Sequence, residues 1–119
     1  MSIACSQSEL PALREQLGHW LESQAIQPEP AFHTKLVIHE AAKNAIAHAD
    51  PGDEVKVRVA IEEDDILIEV LDTNGVPWEL DGANGAEIRG LTLIHALTRH
   101  VETVAQPDGT ALVMLVGRD

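Results

Sequence analysis

Glu40 and Asn44 stand four positions apart in the run Leu36-Val37-Ile38-His39-Glu40-Ala41-Ala42-Lys43-Asn44-Ala45-Ile46-Ala47-His48-Ala49. At about 100° per residue the two lie one above the other on a single helical face, flanked by Val37 and Ala41. Lys35, His39 and Lys43 fall on a separate stripe, where solvated charge belongs. A carboxylate and an amide on the side turned toward packing need a reason. Hydrogen bonding inside the domain is one; a site for a metal-bound polar ligand is the other. Zinc-protease chemistry does not fit, because the second histidine of His-Glu-x-x-His would fall at Lys43 and the six histidines are scattered.

Asp72 ends an apolar strand and precedes Thr73-Asn74-Gly75-Val76-Pro77. It is in phase with Ile66, Ile68 and Val70, which predicts a carboxylate on their side of the sheet. Asp before Asn-Gly is also ordinary turn chemistry. In Arg89-Gly90-Leu91 a glycine stands where a long loop enters a helix, a place where free N–H groups can meet a phosphate or simply be capped. Gly109-Thr110 reads as a hairpin turn.

These residues need elements to hold them. Leu10, Leu13, Leu17, Trp20 and Leu21 recur at spacings of three and four, predicting a helix over Ser8 to Gln24 with Ser8 as N-cap and Pro11 in the first turn. Gln27-Pro28-Glu29-Pro30 breaks the chain, and a second helix runs over about Ala31 to Ala49. Val55, Val57, Val59 and Ile61 alternate with polar residues, and Ile66, Ile68 and Val70 continue the period of two. The acidic turn Glu62 to Asp65 makes these strands a hairpin. Thr73 to Arg89 reads as a long binding loop. A third helix follows from Gly90 to about His100. Val101 to Ala105 and Ala111 to Val116 close the chain as a second hairpin. The order predicts one α+β domain over residues 1–119, a two-layer sandwich with three helices on one face of a mainly antiparallel sheet.

The chain has 119 residues, 45% of them hydrophobic and only 3% aromatic, so Leu, Ile, Val and Ala must fill the core. No apolar run approaches the roughly 20 residues of a membrane span, and Met1 to Gln7 lacks the pattern of a signal peptide. One cysteine, Cys5, excludes an internal disulfide and fits a reducing compartment, the cytoplasm by default. The formal net charge of −12 argues against nucleic acid and anionic lipid as partners. An anionic nucleotide would need a metal ion and backbone N–H groups to be held on such a surface.

Together and in this order, the segments resemble the ATP-binding domain shared by gyrase-type ATPases and sensor histidine kinases, the GHKL or Bergerat fold. Its short branch, the bacterial anti-sigma-factor serine kinases, is the nearest likeness. Glu40 through Ala49 is similar to that branch's N-box, Glu-x-x-x-Asn followed by an apolar pair, His48 and Ala49. Val70 through Trp78 looks like its adenine-binding box, Arg89 through Ile94 like the helix after the ATP lid, and Gly109 through Val113 like the closing strand. The likeness spans about Leu10 to Val116.

The resemblance implies ATP and Mg²⁺ as cofactors. It makes Asn44 the Mg²⁺ ligand, Glu40 the general base toward a serine hydroxyl, Asp72 the acceptor of the adenine amino group and Thr110 its support. Gly75 and Gly90 would let backbone approach the nucleotide, and His48 completes the nucleotide-binding set. It further implies a sigma factor and an anti-sigma-factor antagonist as partners, and a homodimer. This sequence departs from the pattern in two places. Asp72 and Gly75 are one residue further apart than in Asp-x-Gly, and Ile88 stands where a second glycine precedes the third helix. A catalytically weak partner-switching module of the same fold is therefore the alternative, and an isolated sensor-kinase ATPase domain a third.

Overall fold

The chain opens with a strand that its sequence pattern does not announce. Ser2–Cys5 (β1) is too short to show a period of two, and it forms by pairing antiparallel with a later strand. A 3₁₀ turn over Gln7–Glu9 leads into helix α1, Leu10–Ser23, with Pro11 in its first turn. Ser8 does not cap this helix, since no side-chain bond is made at its start. The entry is instead held one turn earlier, where Glu9 Oε1 accepts from both the Ser6 backbone N–H at 2.9 Å and the Ser6 hydroxyl at 2.8 Å. Those two bonds, the hydroxyl's first, hold the Glu9 carboxyl below the usual carboxylate range.

The α1 terminus is a Schellman turn. Ile26 N–H reaches Leu21 O and Ala25 N–H reaches Glu22 O, with Ala25 left-handed at φ 57°. Helix α2 covers Pro28–Ala47, three residues earlier than the sequence pattern suggests. Pro28 and Pro30 do not break the chain; they sit in the first turn, whose N–H groups have no partner inside the helix anyway.

Strands Val55–Ile61 (β2) and Asp65–Asp72 (β3) form the expected hairpin, with Glu62 N–H on Asp65 O at 2.8 Å. Helix α3 spans Gly85–Leu97. It therefore begins five residues before Gly90, inside the stretch read from sequence as loop. It ends at Leu97 rather than near His100: Thr98 Oγ1 donates to Ile94 O, and Arg99 N–H joins Leu115 O in the sheet. Strands His100–Gln106 (β4) and Gly109–Gly117 (β5) close the chain, with Gly109 at φ 149°, a conformation few residues other than glycine adopt.

The computed structural model describes residues 1–47, 55–72, 85–107 and 109–118, apart from the side chains of Cys5, Gln7, Asp72 and residues 85–88. In it the strands form one sheet in the order β1-β2-β3-β5-β4, with every neighbouring pair antiparallel. This is the expected α+β sandwich. The inward residues of the three central strands (among them Val57, Ile68 and Met114) are almost wholly buried. They meet Leu13, Leu17 and Leu21 of α1, Val37, Ile38 and Ala41 of α2, and Leu91 and Ile94 of α3 in one core. Three alanines, Ala41, Ala42 and Ala45, let α2 come close to its neighbours. Thr34, also buried, satisfies its hydroxyl on Pro30 O at 2.8 Å. No described helix is long and apolar enough to cross a membrane.

Candidate functional site

The α2 periodicity that buries Val37, Ile38, Ala41 and Ala45 carries Asn44 inward with them, leaving it 5% exposed. Glu40, one turn earlier on the same face, keeps 17% of its side-chain exposure. The expected stacking of the pair on a packed face is thus observed. What they face is α3, and specifically Gly90. A Cβ at residue 90 would lie 2.7 Å from Glu40 Oε2, 3.7 Å from Glu40 Cβ and 3.4 Å from Asn44 Nδ2. Three residues separated in sequence by up to 50 positions form one contact group.

This placement changes the role read for Gly90. It is the sixth residue of α3, not a glycine at the helix N-terminus, so its own N–H is not among the free ones. Its missing side chain makes room for the Glu40 carboxylate and the Asn44 amide. Gly85, which opens α3, takes the terminal position; Asn84-Gly85 reads in sequence as turn chemistry, which kept it inside the loop 73–89.

Lys43 is also placed differently from expectation. Its Nζ lies 2.9 Å from Glu40 Oε2, so it belongs to the Glu40 group rather than to a separate solvated stripe. The lysine remains 45% exposed and its long stem can swing away. His39, on the other side of Glu40, is half-buried, and its buried Nδ1 has no hydrogen-bond partner among the described residues. Burial holds its pKa below the usual histidine value, the Arg14 and Lys43 cations add to that, and the Glu40 carboxylate opposes it.

The other expected residues belong to the sheet. Register pairs Asp72 of β3 with Thr110 of β5, so the two proposed adenine contacts are cross-strand neighbours along the backbone. Thr110 is half-buried. The side chain of Asp72, and His48 and Gly75 altogether, lie outside the described residues.

The donor set fits a hard divalent cation beside phosphate. Asn44 offers a neutral amide oxygen and Glu40 a carboxylate, both oxygen ligands of the kind Mg²⁺ takes when it keeps most of its waters. Among the described residues no three His, Cys, Asp or Glu side chains gather into a metal cluster.

A second feature escaped the sequence reading. Two adjoining clefts, of about 650 and 400 Å³, run along the outer side of α1 and α2 and share Arg14, Glu15, Phe32 and Lys35. Phe32 is 55% exposed there. The signal that could have found it is Phe32 itself, an aromatic out of helical phase with the apolar face of Val37, Ile38 and Ala41.

A model of the histidine kinase-like ATPase domain matches residues 3–116 of the chain. Among curated proteins, nothing matches significantly.

Proposed function

The chain belongs to the histidine kinase-like ATPase domain family, and on that premise we propose that it is an ATP-binding anti-sigma regulatory factor. Its activity would be serine/threonine protein kinase activity toward an anti-sigma-factor antagonist, controlling transcription by partner switching. A domain of this family implies nucleotide binding. The observation that carries the finer reading is the Glu40, Asn44 and Gly90 group, in which a carboxylate and an amide face a helix that gives way by lacking a side chain.

In this reading Asn44 holds Mg²⁺ through its amide oxygen, and Asp72 with Thr110 holds the adenine end. Bound Mg²⁺ supplies charge neutralisation on the phosphates. Glu40 accepts the proton of the substrate hydroxyl as it attacks, which requires a carboxylate held rigidly and in its charged form. The α2 helix supplies the rigidity, through neighbours Ala41 and Ala45 that are wholly buried. Lys43 contacts only one carboxylate oxygen of Glu40, and a carboxylate has a second oxygen and further lone pairs for the hydroxyl; the lysine's exposure also lets it swing away at little cost. Catalysis is then positioning together with charge neutralisation.

The alternative is a partner-switching module with weak or no turnover. The exposed Phe32 beside Arg14 and Lys35 favours it, because a solvent-facing aromatic between cations suits a protein partner whether or not phosphate is transferred. A sigma factor and its antagonist are the partners in either case.

Titration calorimetry with Mg²⁺-ATP, run beside Asn44→Ala, tests the site. Micromolar binding that the variant loses supports the nucleotide site and leads to a kinase assay on candidate antagonists. Absence of binding at millimolar ATP would refute the enzyme reading and leave the binding module.

A further inference from the structure

Chemistry on an anionic nucleotide asks for cations, and this chain has few: eight lysines and arginines against 20 acidic residues. The fold places six of the eight away from the Glu40, Asn44 and Gly90 group. Arg14 and Lys35 line the cleft on the outer side of α1 and α2. Lys56 and Arg58 alternate with the buried Val55, Val57 and Val59, so they leave β2 on the side away from the helices. Arg99 pairs with Asp65 at 2.9 Å, and Arg118 donates to Glu62 O at 2.7 Å. Lys43 and Arg89 remain.

Lys43 is the better placed of the two. Its Nζ lies 2.9 Å from Glu40 Oε2, the same oxygen that fills the space left by Gly90. Arg89 precedes Gly90 on α3 and is exposed. Consecutive helical residues diverge by about 100°, so Arg89 does not share the direction in which Gly90 faces Glu40. An ammonium carries three N–H groups, and Glu40 Oε2 takes one, which leaves two for a ligand.

The proposed reaction gives that ligand a place. A base acts within about 3 Å of the hydroxyl it deprotonates, and the hydroxyl attacks from about 3 Å, so the transferred phosphate comes within about 6 Å of the Glu40 carboxylate. Carboxylate and phosphate repel each other there. Asn44 is neutral and offsets none of that repulsion by itself. Ile88 also stands where the resembled pattern has a glycine, which removes one place of close backbone approach. The four-carbon stem of Lys43 covers the remaining distance by turning its own torsions.

We propose that Lys43 determines nucleotide specificity: its ammonium bridges the Glu40 carboxylate and the terminal phosphate of ATP, so that the site favours a triphosphate over a diphosphate. The pair seen with Glu40 is one half of that bridge. A lysine binds phosphate as a point charge, so the contact asks for proximity rather than a fixed fork geometry. The inference rests on the nucleotide reading, and the experiment separates the two.

Titration calorimetry with Mg²⁺-ATP and with Mg²⁺-ADP on the full chain decides it. Wild type is expected to bind the triphosphate at least about 10-fold more tightly. Lys43→Met should lower ATP affinity about 10- to 100-fold, the size of a hydrogen bond to a charged group, and ADP affinity by less than about threefold. Lys43→Arg, which keeps the charge, should stay within about fivefold of wild type for ATP. In a Glu40→Gln background Lys43→Met should still cost about 10-fold, because the lysine then holds phosphate alone. The unchanged ADP affinity also shows that the variant is folded. ATP affinity unaffected by Lys43→Met overturns the proposal, and so does an equal loss for both nucleotides, which is a structural effect. A loss that disappears with Glu40→Gln overturns it too, since Lys43 would then serve only the carboxylate. Wild type that binds both nucleotides equally refutes this inference and leaves the nucleotide site standing; wild type that binds neither refutes both.

Discussion

Gly90→Ala separates stability from function at the α2–α3 contact. The new methyl carbon would arrive 2.7 Å from Glu40 Oε2. An ordinary carbon–oxygen contact is about 3.3 Å, so the carboxylate must retreat by about 0.6 Å. That atom ends a flexible side chain, and the other two neighbours, at 3.4 and 3.7 Å, are within or near ordinary contact. The helix itself gains about 1 kcal/mol from alanine over glycine in its interior. Against this stand the strained Glu40 rotamer, about 0.5–1.5 kcal/mol, and weakening of the Lys43 pair, worth at most about 1 kcal/mol at its exposure. The balance runs from about 0.5 kcal/mol stabilising to about 1.5 kcal/mol destabilising, a fall in Tm of no more than about 9 °C. If Glu40 is the general base of the proposed kinase, turnover should respond far more strongly, since sub-ångström misplacement of a catalytic group costs about 10- to 100-fold. Scanning calorimetry and a phosphoryl-transfer assay on the same preparation give both numbers. A loss above about 3 kcal/mol would mean that the backbone, not a side-chain tip, receives the methyl. Turnover equal to wild type would show that Glu40 need not occupy its present position.

Other outcomes follow from the same structure. Ala25→Gly relieves the left-handed φ of 57° at the end of α1 and should stabilise the chain by about 0.5–1 kcal/mol in urea melts. Ile94→Ala empties a fully buried position that ties α3 to the core and should cost about 2–5 kcal/mol in the same experiment. The folded-state pKa of His39 lies below its unfolded value, so the unfolded chain binds the extra proton first as pH falls. Its contribution to stability is therefore complete above about pH 6.5 and declines as pH drops toward the lowered folded pKa. His39→Gln should flatten that part of the stability–pH curve, measured as urea midpoints between pH 8 and 5; an unchanged slope would assign the effect to other groups. Lys43→Met should lower stability by less than about 1 kcal/mol while leaving the Glu40 side chain unpaired on that oxygen, read by thermal melts.

The amino-acid sequence by itself determined what depends on local periodicity. Leucines at three and four positions specify α1, alternation specifies the β2–β3 hairpin, and the i, i+4 spacing of Glu40 and Asn44 places them on one helical face. Those patterns are readable because each needs only a few neighbouring residues and one repeat length. Tertiary structure decided the rest. β1 has four residues and exists through its pairing with β2, which no local pattern records. The start of α3 was hidden by Asn84-Gly85, which reads as a turn, although Ala86, Glu87 and Arg89 are good helix formers. Lys43 joined Glu40 because at i, i+3 a long side chain can reach across to a carboxylate that packing has fixed, and helical phase alone assigned it to solvent. Gly90 is the clearest case. Its sequence context suggests backbone approach to a phosphate, whereas its position suggests room for Glu40, and only the meeting of α2 with α3 distinguishes the two. A missing Cβ has no signature in sequence; its meaning lies in what occupies the space.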